Sequence, residues 1–192
     1  MTIDVIKLTQ DLIRCASITP LDEGAQQVLI DQLEALGFEC HVLPFGEGDE
    51  RILNVFARLG TASPHICYGG HTDVVPPGDE AAWSHPPFGA EIHDGVMYGR
   101  GTQDMKGSVA CFVSAISKYI EEHGQPAGSI SMLITGDEEA DAINGTVKVL
   151  EWMDKNGHIP DVCIVGEPTN PDHLGQEIKV GRRGSLTGKL TV

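Results

Sequence analysis

No stretch of this sequence sustains the roughly 18 apolar residues that a membrane-spanning helix requires, which argues against an integral helical membrane protein. Basic residues are scarce too, with 13 Lys and Arg against 28 Asp and Glu and a formal charge of −15. That balance excludes the basic surface by which proteins hold nucleic acid or anionic lipid. Cysteines at paired metal or redox spacing are missing. Cys15, Cys40, Cys67, Cys111 and Cys163 form no CxxC and are odd in number, which fits a reducing cytoplasm better than a disulfide framework. Cys67, Cys111 and Cys163 lie in apolar runs and read as small buried hydrophobes. Repeats and low-complexity tracts are absent, and "MTIDVIKLTQDLIRC", with Asp4 early, does not resemble a secretory leader.

What is present belongs to a soluble globular domain, 41% hydrophobic and 21% charged over 192 residues. The periodicity predicts helices over 3–16, with Ile3, Ile6 and Ile13 on the apolar stripe, and over 23–36, closed by Gly37 in the left-handed C′ position. Further helices are expected from about Met105 to His123 and over 143–156. Strands are expected near 38–44, 52–59, 65–70, 96–99 and 129–135, with a buried one over 162–166. This alternation predicts an α/β domain with a largely parallel sheet and helices on both faces. The period-two pattern of "GSLTGKLTV" reads instead as a half-exposed strand, the first of a further lid domain. The expected division is therefore a catalytic domain over 1–180, then a hinge and lid strand over 181–192.

Four segments place metal-binding side chains directly after predicted strands. "YGGHTDVV" supplies His71 and Asp73, which as residues i and i+2 of an extended chain face the same side. A metal-bound imidazole needs an acceptor behind it, and Asp73 suits that task. "YGRGTQDMKGS" brings Asp104 to the start of a helix, after a tight positive-φ turn permitted by Gly99 and Gly101. "LITGDEEAD" presents Asp137, Glu138 and Glu139 after an apolar strand, with Asp141 close by, and "CIVGEPTN" presents Glu167. Each alone has an ordinary reading: a hydrogen-bonded surface pair, an N-cap, a solvated acidic turn, a loop acid. Their coincidence at the carboxyl edge of one α/β sheet points to a divalent metal centre. Several carboxylates with a bridging candidate suggest two ions about 3.5–4 Å apart.

At "GGHTDVVP", "YGRGTQDMKG", "TGDEEA" and "VGEPT", in that order, the sequence resembles the co-catalytic zinc aminoacylase and carboxypeptidase family. The resemblance covers the whole chain. It implies two Zn2+ per full-length subunit, for which Co2+ can substitute. It assigns His71 and Glu167 to one zinc, Glu139 to the other, and Asp104 to both. It also implies Asp73 as the support of His71, Glu138 as the general base and a cis peptide bond after Asp104. A further zinc-ligand histidine and the lid belong, on this resemblance, to a C-terminal half that the chain lacks, so the 192 residues by themselves are expected to be inactive or impaired.

The implied enzyme is cytoplasmic, acts on a small acidic amide, contacts neither nucleic acid nor membrane, and forms a homodimer through the lid. Arg182 and Arg183 in "GRRGS" read either as a carboxylate clamp or as a cover over the hinge, with Arg182 the candidate substrate contact. His41, His65, His85, His93, His123, His158 and His173 read as surface or loop residues, with His85 and His93 near the cleft mouth. Two alternatives stay open: another amide hydrolase of the same family, and a metal-binding but inactive module.

Overall fold

The computed structural model of the chain describes residues 2–181 and residue 188. Helix α1 (Val5–Arg14) is capped by Asp4, whose carboxylate accepts the backbone N–H groups of Ile6 and Lys7 at 2.9 and 3.2 Å. Its buried stripe is Leu8, Leu12 and Ile13, whereas Ile6 stays half exposed. Ile13, seven residues on and about 20° from Ile6 around the helix, is covered where it packs beside Gly99, so the expected stripe is buried at its C-terminal end and is corrected at Ile6. Helix α2 (Ala25–Ala35) does end on Gly37, at φ +92°. The N–H of Phe38 reaches Leu33 O at 3.0 Å and that of Gly37 reaches Glu34 O at 2.9 Å, the paired bonds by which a left-handed glycine satisfies orphan carbonyls.

Strands β1 (Glu39–Phe45), β2 (Ile52–Leu59), β3 (His65–His71), β6 (Ser129–Thr135) and β7 (Val162–Val165) form one sheet in the order β1-β2-β6-β3-β7. Two pairings are antiparallel and two parallel, because β2 alone runs against the other four. Strands β4 (Glu91–His93) and β5 (Val96–Tyr98) make a separate hairpin. One face of the large sheet is covered by α1, α2 and α3 (Gly107–His123), with Leu12, Leu33 and Val113 packed on Val55, Met132 and Ile134. On the other face α4 (Thr146–Lys155) packs Val149 and Met153 against Phe56, Cys67 and Leu133. Helices thus lie on both faces. Among the described residues no helix is long and apolar enough to cross a membrane.

Several expectations are corrected. Strand β7 is not buried: among the described residues it is one edge of the sheet and pairs only with β3, and Val162, Ile164 and Val165 are 55%, 51% and 61% exposed. Cys163 on β7 is therefore exposed, Cys111 on α3 is exposed as well, and Cys67 on β3 is buried. His65 is no surface residue; it is buried at the start of β3, with Nε2 2.7 Å from Ser131 Oγ. Helix α4 begins at Thr146 rather than 143, and α3 begins at Gly107 rather than Met105. The expected hinge and lid strand over 181–192, with Arg182 and Arg183, lies outside the described residues apart from Gly181 and Gly188.

Lys106 ties α1 to the turn that precedes α3. Its fully buried ammonium donates to the carbonyls of Leu12 at 2.9 Å and Cys15 at 2.8 Å, which terminate α1. Burial pulls its pKa down to about 8, against the opposing pull of Cys15, Asp22 and Asp73. Lys106→Met keeps the length of the side chain and leaves both carbonyls without that donor. We expect a loss of about 1–3 kcal/mol, which for a chain of this size lowers Tm by about 2–4 °C per kcal/mol. Thermal unfolding followed by circular dichroism checks this, and an unchanged Tm would mean the two carbonyls are satisfied otherwise.

Candidate metal centre

Three neighbouring parallel strands, β6, β3 and β7, end on the same edge of the sheet. His71 is the last residue of β3 and pairs in register with Thr135, the last of β6; Glu138 and Glu139 follow three and four residues later. Glu167 follows β7 by two residues. Such carboxyl edges are where sites assemble in α/β sheets. Gly70 lets the next element close over this edge. A Cβ there would lie 2.9 Å from Met105 Cε and 3.1 Å from Val109 Cγ2, so a side chain would push away the start of α3.

Asp104 reaches the same point by a different route. Gly101 at φ +86° turns the chain, while Gly99 is required for room beside Ile13 rather than for a positive φ. Asp104 and Met105 then leave helical geometry, at φ −124°, ψ 101° and φ −127°, ψ 25°, and are joined by a cis peptide bond. This is why α3 starts two residues later than its periodicity suggests. Asp104 is left half exposed and facing the ends of the strands, while Met105 is buried beneath.

His71 is the centre of the arrangement. Its Nδ1–H donates to the backbone carbonyl of Asp73 at 2.9 Å, with the Asp73 carboxylate 3.5 Å away. That donation fixes the tautomer and leaves Nε2 to act outward. Nε2 lies 3.2 Å from Asp104 Oδ1, 3.6 Å from Glu167 Oε1 and 4.0 Å from Glu138 Oε2. Donor atoms of His71, Glu138 and Glu167 lie within 4.8 Å of one another, as do those of His71, Asp104 and Glu139. The sequence-assigned residues His71, Asp104, Glu138, Glu139 and Glu167 are therefore brought together, with Glu138 and Glu139 in different groups.

Asp73 has a second task that its sequence did not reveal. Buried beneath His71, its carboxylate accepts the backbone N–H groups of Glu138 at 3.1 Å and Glu139 at 3.0 Å. It also accepts the hydroxyl of Thr19 at 2.7 Å. Thr19 belongs to the segment after α1, which is strapped to the turn beyond β3 by Val74 N–H to Ser17 O at 3.0 Å and Ser17 Oγ to Thr72 O at 2.6 Å. One carboxylate thus holds three chain segments in register. Asp137 belongs to neither donor group; it caps its own loop, accepting the N–H groups of Ala142 at 3.1 Å and Asn144 at 2.9 Å. Asn54 braces the same loop through Thr135, Gly136 and Asn144. No local signal in the sequence marks Thr19 or Asn54.

The electrostatics show strain that a cation would relieve. Burial pushes the carboxyls of Glu139 and Glu167 above the usual range, and Asp104 and Glu138 add like-charge repulsion to both. Burial alone would lower the His71 pKa; the hydrogen bonds and charge of Asp73, with Glu167 behind them, carry it up to about 9. Asp73 is held low in spite of its burial by His71, Glu139 N–H and Thr19. One imidazole nitrogen among four carboxylates is a donor set for a borderline or hard divalent ion, so the residues fit the metal centre. Arg182 lies outside the described residues.

Residues 67–187 match the peptidase family M20/M25/M40. The chain is 60% identical over 192 residues to a succinyl-diaminopimelate desuccinylase of Rhodospirillum centenum, covering all of this chain and 50% of that one. It is 57% identical over 187 residues to a protein of the same name from Gluconacetobacter diazotrophicus, covering 97% and 48%. The chain spans about half the length of the curated relatives it matches. Among solved structures, human carnosine dipeptidase 1 superposes with a TM-score of 0.75 at 23% identity, covering 85% of this chain and 38% of that one. The metallo-carboxypeptidase Sso-CP2 from Sulfolobus solfataricus gives 0.71 at 22%, covering 85% and 37%. These two likenesses concern the fold.

Proposed function

The chain belongs to peptidase family M20/M25/M40, and from that premise we propose that the whole protein is a metal-dependent amidohydrolase. Its substrate is N-succinyl-L,L-2,6-diaminopimelate, cleaved to succinate and L,L-diaminopimelate on the route to lysine and cell-wall precursors. The names of relatives at 57% and 60% identity support that substrate. The observation that carries the chemistry is the Nε2 of His71, facing carboxylates from three other segments at one sheet edge.

His71 and Glu167 would hold one Zn2+, Glu139 the other, and Asp104 would serve both, with Co2+ as a substitute. Ions bound there would supply Lewis acidity, lowering the pKa of a water and stabilising negative charge on the amide oxygen. Glu138 takes a proton from the attacking water and delivers it to the nitrogen of the leaving amine, so that acid and free amine are formed from amide and water. Asp73 orients His71 and fixes the Glu138–Glu139 backbone at the same time. Arg182 pairs with a substrate carboxylate. The further histidine of the second ion and the lid come from the half of the relatives that this chain does not span, and a homodimer forms through that lid in the cytoplasm.

The experiment uses the full-length protein with Zn2+ or Co2+ and compares N-succinyl-diaminopimelate with N-acetylornithine. Succinate release that exceeds acetate release by kcat/KM is the expected result. No succinate release with metal present sinks the reading, and a preference for the acetyl substrate moves it to a deacetylase of the same family.

A further inference from the structure

The β4–β5 hairpin carries a second convergence of metal-binding side chains, which shares no residue with the first. Its two-residue turn, Asp94-Gly95, has both residues at positive φ (51° and 79°), the geometry that keeps a tight hairpin in register. Alternation along β4 then puts Glu91 and His93 on one side, with Glu91 opposite Tyr98. His85, from the preceding loop, lies over this surface. Its ring is 4.2 Å from His93 at 22° and 4.2 Å from Tyr98 at 40°. A single oxygen, Glu91 Oε2, meets His85 Nδ1 at 3.0 Å and His93 Nε2 at 2.9 Å.

We propose that His85, Glu91 and His93 form a second metal site, for a borderline divalent ion of the Zn2+ class. Two imidazoles and a carboxylate are a recurring donor set for such ions. Bonds of about 2.0–2.1 Å in tetrahedral geometry place neighbouring donor atoms on the order of 3.3 Å apart. The 2.9 and 3.0 Å separations from Glu91 need only a few tenths of an ångström of opening, the two stacked imidazoles must turn so that both nitrogens aim at the ion, and all three donors already lie within 4.8 Å. The side chains are 22%, 43% and 52% exposed for His85, Glu91 and His93, so an ion can enter directly and complete its coordination with water. The two imidazoles hold the Glu91 carboxyl below its usual range, which keeps it anionic and ready to bind a cation. An ion there would join the 76–90 loop to the hairpin whose second strand leads to Asp104.

Equilibrium dialysis of the 192-residue chain against Zn2+ at pH 7.5, with metal counted by mass spectrometry, tests this. The His85→Asn/His93→Asn variant should keep the parent's circular dichroism spectrum and bind one Zn2+ fewer per chain, whatever the other centre takes up. In the parent, the imidazole proton resonances of His85 and His93 should shift on zinc addition; this second readout decides the matter if the variant does not fold. Equal zinc counts in parent and folded variant, or His85 and His93 resonances that stay in place while zinc is bound, would overturn the proposal.

Discussion

Glu138→Gln is expected to lower kcat of the full-length enzyme by roughly 10²–10⁴-fold, the usual contribution of a positioned general base, while leaving its metal content unchanged. The amide keeps the size and hydrogen-bonding shape of the carboxylate but cannot take a proton from water. Glu139→Ala, by contrast, should empty one metal position. The two residues are adjacent in sequence, yet Glu138 groups with His71 and Glu167, and Glu139 with His71 and Asp104. Because Glu138 Oε2 stands only 4.0 Å from His71 Nε2, a ligand role for it is the rival assignment, and metal content separates the two. Loss of metal in Glu138→Gln would make Glu138 a ligand and leave the base to another residue.

Asp73→Asn is expected to weaken metal binding by about 10–100-fold, the range found for the residues that orient metal-bound histidines, with the fold retained. With its oxygen in the Oδ2 position, the new amide still accepts from Thr19, Glu138 N–H and Glu139 N–H, and Glu138 N–H loses only its second acceptor, Oδ1 at 3.2 Å. Its NH2 then occupies the Oδ1 position, 3.5 Å from His71 Nδ1, where two donors face each other. The carboxylate charge that supports the imidazole is also gone. Asp73→Ala removes the acceptor for all three donors as well, and each buried donor left unpaired costs about 1–3 kcal/mol. Chelator competition gives the affinities, and thermal unfolding separates the two variants. An Asp73→Asn protein that binds zinc as tightly as the parent would show that the Asp73 carbonyl, 2.9 Å from Nδ1, orients His71 unaided.

Much of this architecture was legible in the residues. Strand β6 runs over 129–135 as its apolar pattern indicates, and α2 closes on Gly37 because only a residue at ease with φ +92° completes that cap. His71, Glu138, Glu139 and Glu167 follow apolar strands, and Asp104 follows a glycine turn, so their common position at one edge could be read from order alone. Cys163 and β7 were misread because an apolar strand looks the same in the centre of a sheet and at its rim. Strand order decides exposure, and strand order is a property of distant pairings.

What the sequence determined by itself was therefore local: where the chain extends, coils and turns, and which ionisable groups stand at the ends of those elements. Backbone sterics and side-chain periodicity act over a few residues, and their traces lie within a few residues. Only the tertiary structure decided that Asp73 reaches 65 and 66 positions along the chain to hold the Glu138–Glu139 turn. It alone joined Thr19 to Asp73, buried His65 on Ser131, and set His85 against a hairpin strand. Those contacts depend on how helices and strands pack on both faces of the sheet, and the hydrogen bonds that fix them form only after that packing has excluded water from between the partners.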